Sequence, residues 1–188
     1  MGATEKEKML SGQLYRASDP ELKQAHASAQ RRMRRLNAIA NEDAVARYDR
    51  LRDLLGKIGE DTVFMSPFWC DYGVNIRIGR NGFVNYNCIF LDCALITIGD
   101  DAQIAPCVQI YTAHHPLDAA TRRSGLEMAT PVTIGNNVWL GGGTIICPGV
   151  TIGDNTVIGA GSVVTRSIPA GVIAVGNPCR VLRPASLK

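Results

Sequence analysis

One stretch constrains this chain more than any other. From Val132 to Val164 it reads VTIGNNVWLGGGTIICPGVTIGDNTVIGAGSVV, and large aliphatic residues recur at every sixth position: Ile134, Leu140, Ile146, Ile152, Ile158 and Val164. A small or polar residue follows each of them (Gly135, Gly141, Cys147, Gly153, Gly159, Thr165), and four residues after each of the first five comes Val138, Thr144, Val150, Thr156 or Ser162. An amphipathic helix requires apolar recurrence near about 3.6 residues, and a half-buried strand alternates by two, so a strict period of six is neither alone. It fits short strands separated by tight turns, each repeat sending one aliphatic side chain inward. Asn136-Asn137 and Asp154-Asn155 fall where turns take residues that tolerate left-handed dihedrals. Short β repeats at a fixed spacing mean a solenoid.

The repeats extend upstream, irregularly from Thr62. Ile78, Val84, Phe90 and Ile96 keep the period, and the frame then slips by two to Ile98, Ile104 and Ile110. Ile110 and Ile134 are 24 apart, four whole repeats. The intervening 112–131, TAHHPLDAATRRSGLEMATP, carries Arg, Glu and Gly where strands would be, and reads as a loop thrown out of the solenoid over roughly one coil. Long loops in compact domains are usually functional. Beyond Ile168 the tail is expected to leave the solenoid axis after AVGNPCRVLR, with Pro178 and Pro184 stopping regular structure.

Residues 1–58 are charged, glycine-poor and helical in pattern. A short helix from Glu5 to Ser11 is stopped by Gly12. Ser18-Asp19-Pro20-Glu21 supplies a cap with proline in the first turn. Leu22, Ala25, Ala29, Met33, Leu36 and Ala40 then mark one face at helical spacing, and Asn41 is a candidate cap for a third helix running through Leu51 and Leu55 to Gly56. The chain divides into a helical region, 1–58, and a solenoid domain, 59–188.

A net charge of +3 over 188 residues is too small to argue for nucleic acid as the partner. Arg31-Arg32-Met33-Arg34-Arg35 reads as the solvated side of an amphipathic helix, with Met33 on the apolar face and no aromatics to stack bases. No run of 18 or more apolar residues and no apolar leader occurs. None of the six cysteines forms a CxxC pair. They read as buried thiols, and Cys70 and Cys88, 18 apart and hence one expected coil apart, are expected to stack. These features indicate a soluble cytoplasmic protein.

The loop opens with His114-His115-Pro116. Imidazole titrates near neutrality, so either histidine is a candidate general base, and the residues alone do not separate them. Consecutive residues on a strand face opposite ways and rarely share a metal ion. His26 lies in a charged helix and reads as structural or solvent-facing. Asn85, in GFVNYN, sits at a turn; Asp71 in WCDYG and Asp92 in FLDC are carboxylates in apolar context. Gly141-Gly142-Gly143 and Ala160-Gly161 leave room along the coils, and Arg166, Arg180 and Arg183 suit phosphates. Neither nucleotide-binding glycine motif is present.

The segments VTIGNNVWLGGG, PGVTIGDN and GAGSVVT, together with EKEKMLSGQLYRASDPEL ahead of the repeats, resemble the hexapeptide-repeat acyltransferases. The likeness is to the maltose and galactoside O-acetyltransferases, and it runs from Glu5 to about Arg183. It implies a left-handed parallel β-helix of three hexapeptides per coil, where the residues alone favour right-handed crossovers. It also implies acetyl-CoA as co-substrate, no metal, and a homotrimer with sites shared between chains. The histidine before proline in that family is the catalytic base, which matches His115, while His114 occupies a position that tolerates other residues. Asn85 matches the donor to the developing oxyanion. Asp71, Asn85 and Asp92 are the implied substrate-binding residues; Asp71 stands where galactoside enzymes carry serine and Cys93 where they carry aspartate, the maltose-type pattern. For acetyl-CoA the resemblance points to Trp139, Gly142, Ala160, Thr165, Arg166, Arg180 and Arg183, with only a backbone contact left at Gly142. The hexapeptide carbonic anhydrases need three zinc histidines, and no third histidine stands at a matching spacing. The expected activity is acetyl transfer to a hydroxyl of a sugar such as maltose or glucose. The alternatives are another acceptor (a galactoside, a chitooligosaccharide, serine or an antibiotic) or a binding β-helix without catalysis.

Overall fold

The computed structural model describes residues 2–186. Its first part is helical for local reasons. Thr4 caps α1 (Glu5–Leu10) in a reciprocal capping box with Glu7, and Gly12, at φ 74°, turns the chain away. Asp19 caps α2 (Pro20–Asn37) with proline in its first turn, and Leu22, Ala29, Met33 and Leu36 of the expected face are buried. The cap of α3 (Ala44–Leu54) is Asp43 rather than Asn41. Asn41 is used otherwise: its side-chain oxygen accepts from the Ser66 N–H at 2.8 Å.

The rest of the chain winds as stacked coils of three short strands. β1 (Lys57–Ile58), β2 (Val63–Phe64) and β3 (Phe68–Cys70) form the lowest coil; β4 (Ile76–Ile78), β5 (Phe83–Val84) and β6 (Cys88–Leu91) the next; β7 (Ile96–Ile98), β8 (Gln103–Ile104) and β9 (Gln109–Tyr111) the third. A loop then leaves the stack as β10 (Ala113–His114), the short helix α4 (Ala119–Arg123) and β11 (Met128–Ala129), with β10 and β11 paired antiparallel. The stack resumes with β12 (Val132–Ile134), β13 (Trp139–Leu140) and β14 (Ile145–Ile146), followed by β15 (Thr151–Ile152), β16 (Val157–Ile158) and β17 (Val163–Val164). A hairpin of β18 (Val172–Val175) and β19 (Arg180–Pro184) closes the top. Equivalent strands pair in parallel to make three sheets: β1-β4-β7-β12-β15 is the first, β2-β5-β8-β13-β16 with β18 and β19 the second, and β3-β6-β9-β14-β17 the third. This is the parallel solenoid that the period of six dictates, and Ile134, Leu140, Ile146, Ile152, Ile158 and Val164 are all buried in its core.

The slip in the sequence frame has a structural cause. Lys57, Arg77 and Thr97 stand in register, 20 residues apart, whereas Thr133 and Thr151 are 18 apart. The two extra residues of each lower coil sit at the corner between the third and first sheets, after Cys70 and after Leu91. Cys70 therefore pairs with Phe90 and Cys88 with Phe68, so the two cysteines do not stack as an 18-residue coil would require. Thr97 pairs with Thr133, 36 residues on, so the inserted loop adds the length of one upper coil. Asn137 and Asn155 take φ of 52° and 55° at the corner between the first and second sheets, as their turn positions predict, and the Asn137 amide donates to Asn155 at 2.9 Å.

One further expectation is corrected. Pro178 does not stop regular structure: β18 continues the second sheet with Ile173 above Val157, Pro178 lies in the hairpin turn, and strand β19 runs on to Pro184. The helical region packs directly onto the solenoid. Strand pairing begins at Lys57, and Ala29, Met33 and Leu36 share one core with Phe64, Phe68 and Phe90, whose rings meet edge to face. The buried Arg47 guanidinium ties the parts together, donating to the carbonyls of Leu36, Ile39 and Phe64 and to Ser66 Oγ. The helices thus cover the lower end of the coils, whose open strand edges would otherwise invite pairing.

The three outer faces differ. The first sheet presents Lys57, Arg77, Thr97, Thr133 and Thr151 outward, a polar face. The second presents Val63, Phe83, Gln103, Trp139, Val157 and Ile173, and the third Trp69, Ile89, Gln109, Ile145 and Val163. No helix among the described residues is long and apolar enough to cross a membrane.

Candidate active site

The sequence-predicted site residues fall on two edges of the prism. Along the edge between the third and first sheets, the widened corners of the two lower coils carry Asp71 and Asp92, the third carries the loop with its histidines, and the top carries Thr165 and Arg166. Along the edge between the second and third sheets lie Asn85, Gly142 and Ala160, with Trp139 exposed on β13 beside them and Arg180 and Arg183 exposed on β19 above. The third sheet separates the two groups. A side of about five residues at roughly 3.3 Å each keeps the edges on the order of 15 Å apart.

On the first of these edges the two histidines part company. His114 belongs to β10, and its Nε2 lies 2.9 Å from Thr130 Oγ1 at the base of the loop. His115 is the next residue out and is exposed. The loop is held down by the N-terminal segment: Tyr15 and Glu127 exchange backbone hydrogen bonds, the Tyr15 hydroxyl donates to Glu127 Oε2 at 3.1 Å, and Arg16 reaches the Ser124 carbonyl at 2.8 Å.

Between the loop and α2 is a cavity of about 330 Å³ whose walls come from the N-terminal segment (Tyr15), α2 (Leu22, Lys23, His26), the widened corners (Asp71, Tyr72, Cys93) and the loop (Ala113, Glu127). Asp71 faces it. Its Oδ2 accepts from the Cys93 thiol at 3.4 Å, and its Oδ1 lies 3.8 Å from His26 Nε2. Burial raises the Asp71 carboxyl above the usual range; the Cys93 contact and His26 pull it back, and the Glu127 charge pushes it further up. Burial likewise drives the Tyr15 hydroxyl and the Cys93 thiol far up, so both remain neutral donors.

Asp92 is placed differently from the expectation that it contacts substrate. It is 0% exposed. Its carboxylate accepts the backbone N–H of Asp71 (3.1 Å), Tyr72 (2.8 Å) and Asn75 (3.2 Å), and the Asn75 amide donates to its carbonyl. It is the peg around which the widened corner is wound. Burial pushes its carboxyl up to about 7 against the pull of those backbone N–H groups. A larger cavity of about 470 Å³, between α3 and β2 with Val45, Tyr48, Val63 and Phe64 on its walls, contains none of the sequence-predicted residues.

On the second edge, Asn85 Oδ1 accepts the Tyr86 N–H at 2.8 Å, which leaves the Nδ2 donors without a hydrogen-bond partner among the described residues. Two coils above, a side chain at Gly142 would meet only the Pro106 carbonyl at 3.4 Å, and Gly143 and Gly161 have nothing within 4 Å. They line an open trough. Gly141 is the opposite case: a Cβ there would stand 2.4 Å from the Ala160 nitrogen, so this glycine is fixed by coil stacking. Among the described residues, the Arg180 and Arg183 guanidiniums donate only to the carbonyls of Cys179 and Pro184. Among the described residues no group of three or more His, Cys, Asp or Glu could hold a metal ion.

Sequence reasoning does not single out Tyr15 or Glu127, and it reads His26 as structural or solvent-facing. The Tyr15–Glu127 contact joins residues 112 apart in sequence, and no pattern announces it. An acid in a loop already read as functional was the one available signal for Glu127.

A parallel solenoid with a histidine-bearing loop on one edge and a glycine trough on another defines a class, and comparison with known proteins gives it a family. Residues 8–59 match the family described as maltose acetyltransferase hexapeptide capping motif, and residues 131–166 match bacterial transferase hexapeptide (six repeats). Nodulation protein L of Rhizobium meliloti (strain 1021) is 50% identical over 181 residues, 96% of this chain and 99% of its own. The crystal structure of a maltose O-acetyltransferase from Clostridium difficile 630 superposes with a TM-score of 0.97 at 51% identity, covering 100% of both chains. A galactoside acetyltransferase in complex with coenzyme A gives a TM-score of 0.94 at 37% identity, covering 98% of this chain and 92% of that one. The chain belongs to the hexapeptide-repeat acetyltransferases, in the maltose and galactoside O-acetyltransferase group.

Proposed function

We propose that this protein transfers the acetyl group of acetyl-CoA to a hydroxyl of a sugar such as maltose or glucose, in a site completed by a second copy of the chain. His115 takes the hydroxyl proton as the oxygen bonds to the acetyl carbon. The Asn85 amide donates to the oxygen of the tetrahedral intermediate. The carbon–sulfur bond then breaks, and the imidazolium returns its proton to the departing thiolate of coenzyme A. No covalent enzyme intermediate is needed. The trough at Gly142, Gly143 and Gly161 has room for the pantetheine arm, Trp139 borders it, and Arg180, Arg183 and Arg166 suit the phosphates. Asp71 offers acceptor oxygens to the hydroxyls of the sugar.

The observation that carries this reading is the division of the site residues between two edges. A base and an oxyanion donor must each come within about 3 Å of one reacting centre, and edges on the order of 15 Å apart favour drawing the two from different chains. Two adjacent outer faces are apolar and one is polar, the pattern of a prism that packs by two faces around a three-fold axis. Such packing sets one chain's loop edge against its neighbour's Asn85 edge.

The test is thiol release from acetyl-CoA against a panel of maltose, glucose, galactosides, chitooligosaccharides and serine. Release with a sugar and not with serine is expected. Release with serine alone overturns the acceptor class, and release with none overturns the activity.

A further inference from the structure

In the sequence His26 reads as structural or solvent-facing, yet α2 places it on the wall of the cavity that the proposed function gives to the acceptor. Its ring meets Tyr72 edge to face, with centroids 6.1 Å apart. One nitrogen, Nε2, has two neighbours. The Gln30 side-chain nitrogen lies 3.3 Å away, and the Asp71 Oδ1 lies 3.8 Å away. Gln30 is not free to turn its amide over, because the same nitrogen donates to the Cys70 carbonyl at 2.9 Å. It therefore presents an N–H to the imidazole, and only a neutral ring with a lone pair on Nε2 can accept it. A protonated ring would set donor against donor, and its nearest acceptor is Asp71. The remaining charged or titratable groups around the ring are Lys23 on the same helix, Cys93 on the corner, and Tyr15 with Glu127 on the far wall.

We propose that His26 is a positioning residue for the acceptor, exchanging between Gln30 and Asp71 and so setting how much of the Asp71 carboxylate is open to the incoming alcohol. This rests on the acetyl-acceptor reading of the cavity. With a neutral ring, Asp71 Oδ1 is left to the acceptor's hydroxyls. With a charged ring, the acceptor must displace an ion pair before it binds. Imidazole is the side chain whose charge changes in the physiological range, so acceptor affinity falls as the medium becomes acidic, while acetyl-CoA binding, which uses neither His26 nor Asp71, does not follow.

The experiment is steady-state thiol release with maltose as the varied substrate, from pH 8 to 5.5, for the wild type, His26→Gln and His26→Lys. In the wild type the acceptor KM is expected to rise roughly two- to fivefold toward low pH, the range open to a partly exposed ion pair. His26→Gln, which gains no charge, flattens that rise. His26→Lys, which never loses its charge, holds KM at the raised value even at pH 8. The pH profile of kcat and the KM for acetyl-CoA stay common to all three. A purely structural His26 would give Gln and Lys variants that behave alike. A KM rise that persists in His26→Gln assigns it to protonation of Asp71 or Glu127 and overturns the proposal alone. Absence of thiol release by the wild type with every sugar overturns both the proposal and the function it rests on.

Discussion

His114 and His115 are neighbours in sequence and opposites in the fold. His114 fastens the foot of the loop to Thr130, and His115 stands exposed one residue further out. Replacing His115 by alanine should lower kcat by ~10²–10⁴, the contribution of a positioned general base, with the acetyl-CoA KM nearly unchanged. His114→Ala should cost only a few-fold, and the reverse ranking would exchange their roles. Asp92 shows how a residue type can mislead. A carboxylate in an apolar stretch of a sugar-enzyme sequence suggests a ligand for hydroxyls, and its burial under three backbone N–H groups is visible only in the fold. Asp92→Ala strands those donors, at about 1–3 kcal/mol. The pH dependence has a definite sign. A carboxyl raised to about 7 in the folded state binds its proton more tightly than in the unfolded chain, where such groups titrate near about 3.9. Its contribution to stability is therefore full at low pH and declines as pH rises through about 7. In thermal unfolding the gap between wild type and Asp92→Ala should be wider at pH 5 than at pH 8. A wider gap at pH 8 would mean that the backbone donors outweigh burial.

At the scale of the elements, the coils were legible because each hexapeptide position has one structural meaning. Ile134 to Val164 all point into the core, and Asn137 and Asn155 both turn a corner in the left-handed region. What was hidden is whatever breaks that one-to-one mapping. Two extra residues per lower coil changed which residues stack, so that Cys88 rests over Phe68 and not over Cys70. Pro178 signals an end to helix or strand, but a hairpin turn accommodates it, and β18 carries on the sheet beyond the last clear repeat. Glycines illustrate the same point, since sequence alone cannot rank Gly141 against Gly142. The fold can: a methyl group at Gly141 would collide with the Ala160 backbone, and one at Gly142 has space. Gly141→Ala should destabilise by about 1–3 kcal/mol or more through overpacking, and Gly142→Ala should stay within about 0.5 kcal/mol, both read by thermal or denaturant unfolding. Equal losses would mean that the trough is not open.

For the whole molecule, the site is less legible than the fold because it is assembled twice over from distant parts. The proposed acceptor cavity needs the N-terminal segment, α2, two coil corners and the loop, and no periodicity links Tyr15, His26 and Glu127. The proposed catalytic centre further needs a second chain. Mixing inactive His115→Ala with inactive Asn85→Ala protein, then dissociating and reassociating them, should restore activity, since in random closed trimers about a quarter of the interfaces receive an intact residue from each side. No recovery in verified mixed trimers, or full activity in a monomer by light scattering, would return the site to a single chain.

The inserted loop adds one coil's length, so β9 and β14 meet in the register they would keep if it were absent: Gln109 lies beside Ile145 and Ile110 beside Ile146. The scaffold is therefore blind to what is plugged in at that corner. The histidines travel as a cassette seated in a socket that the coils close around regardless, and a lineage built this way can exchange the cassette without disturbing a single strand of the stack beneath it.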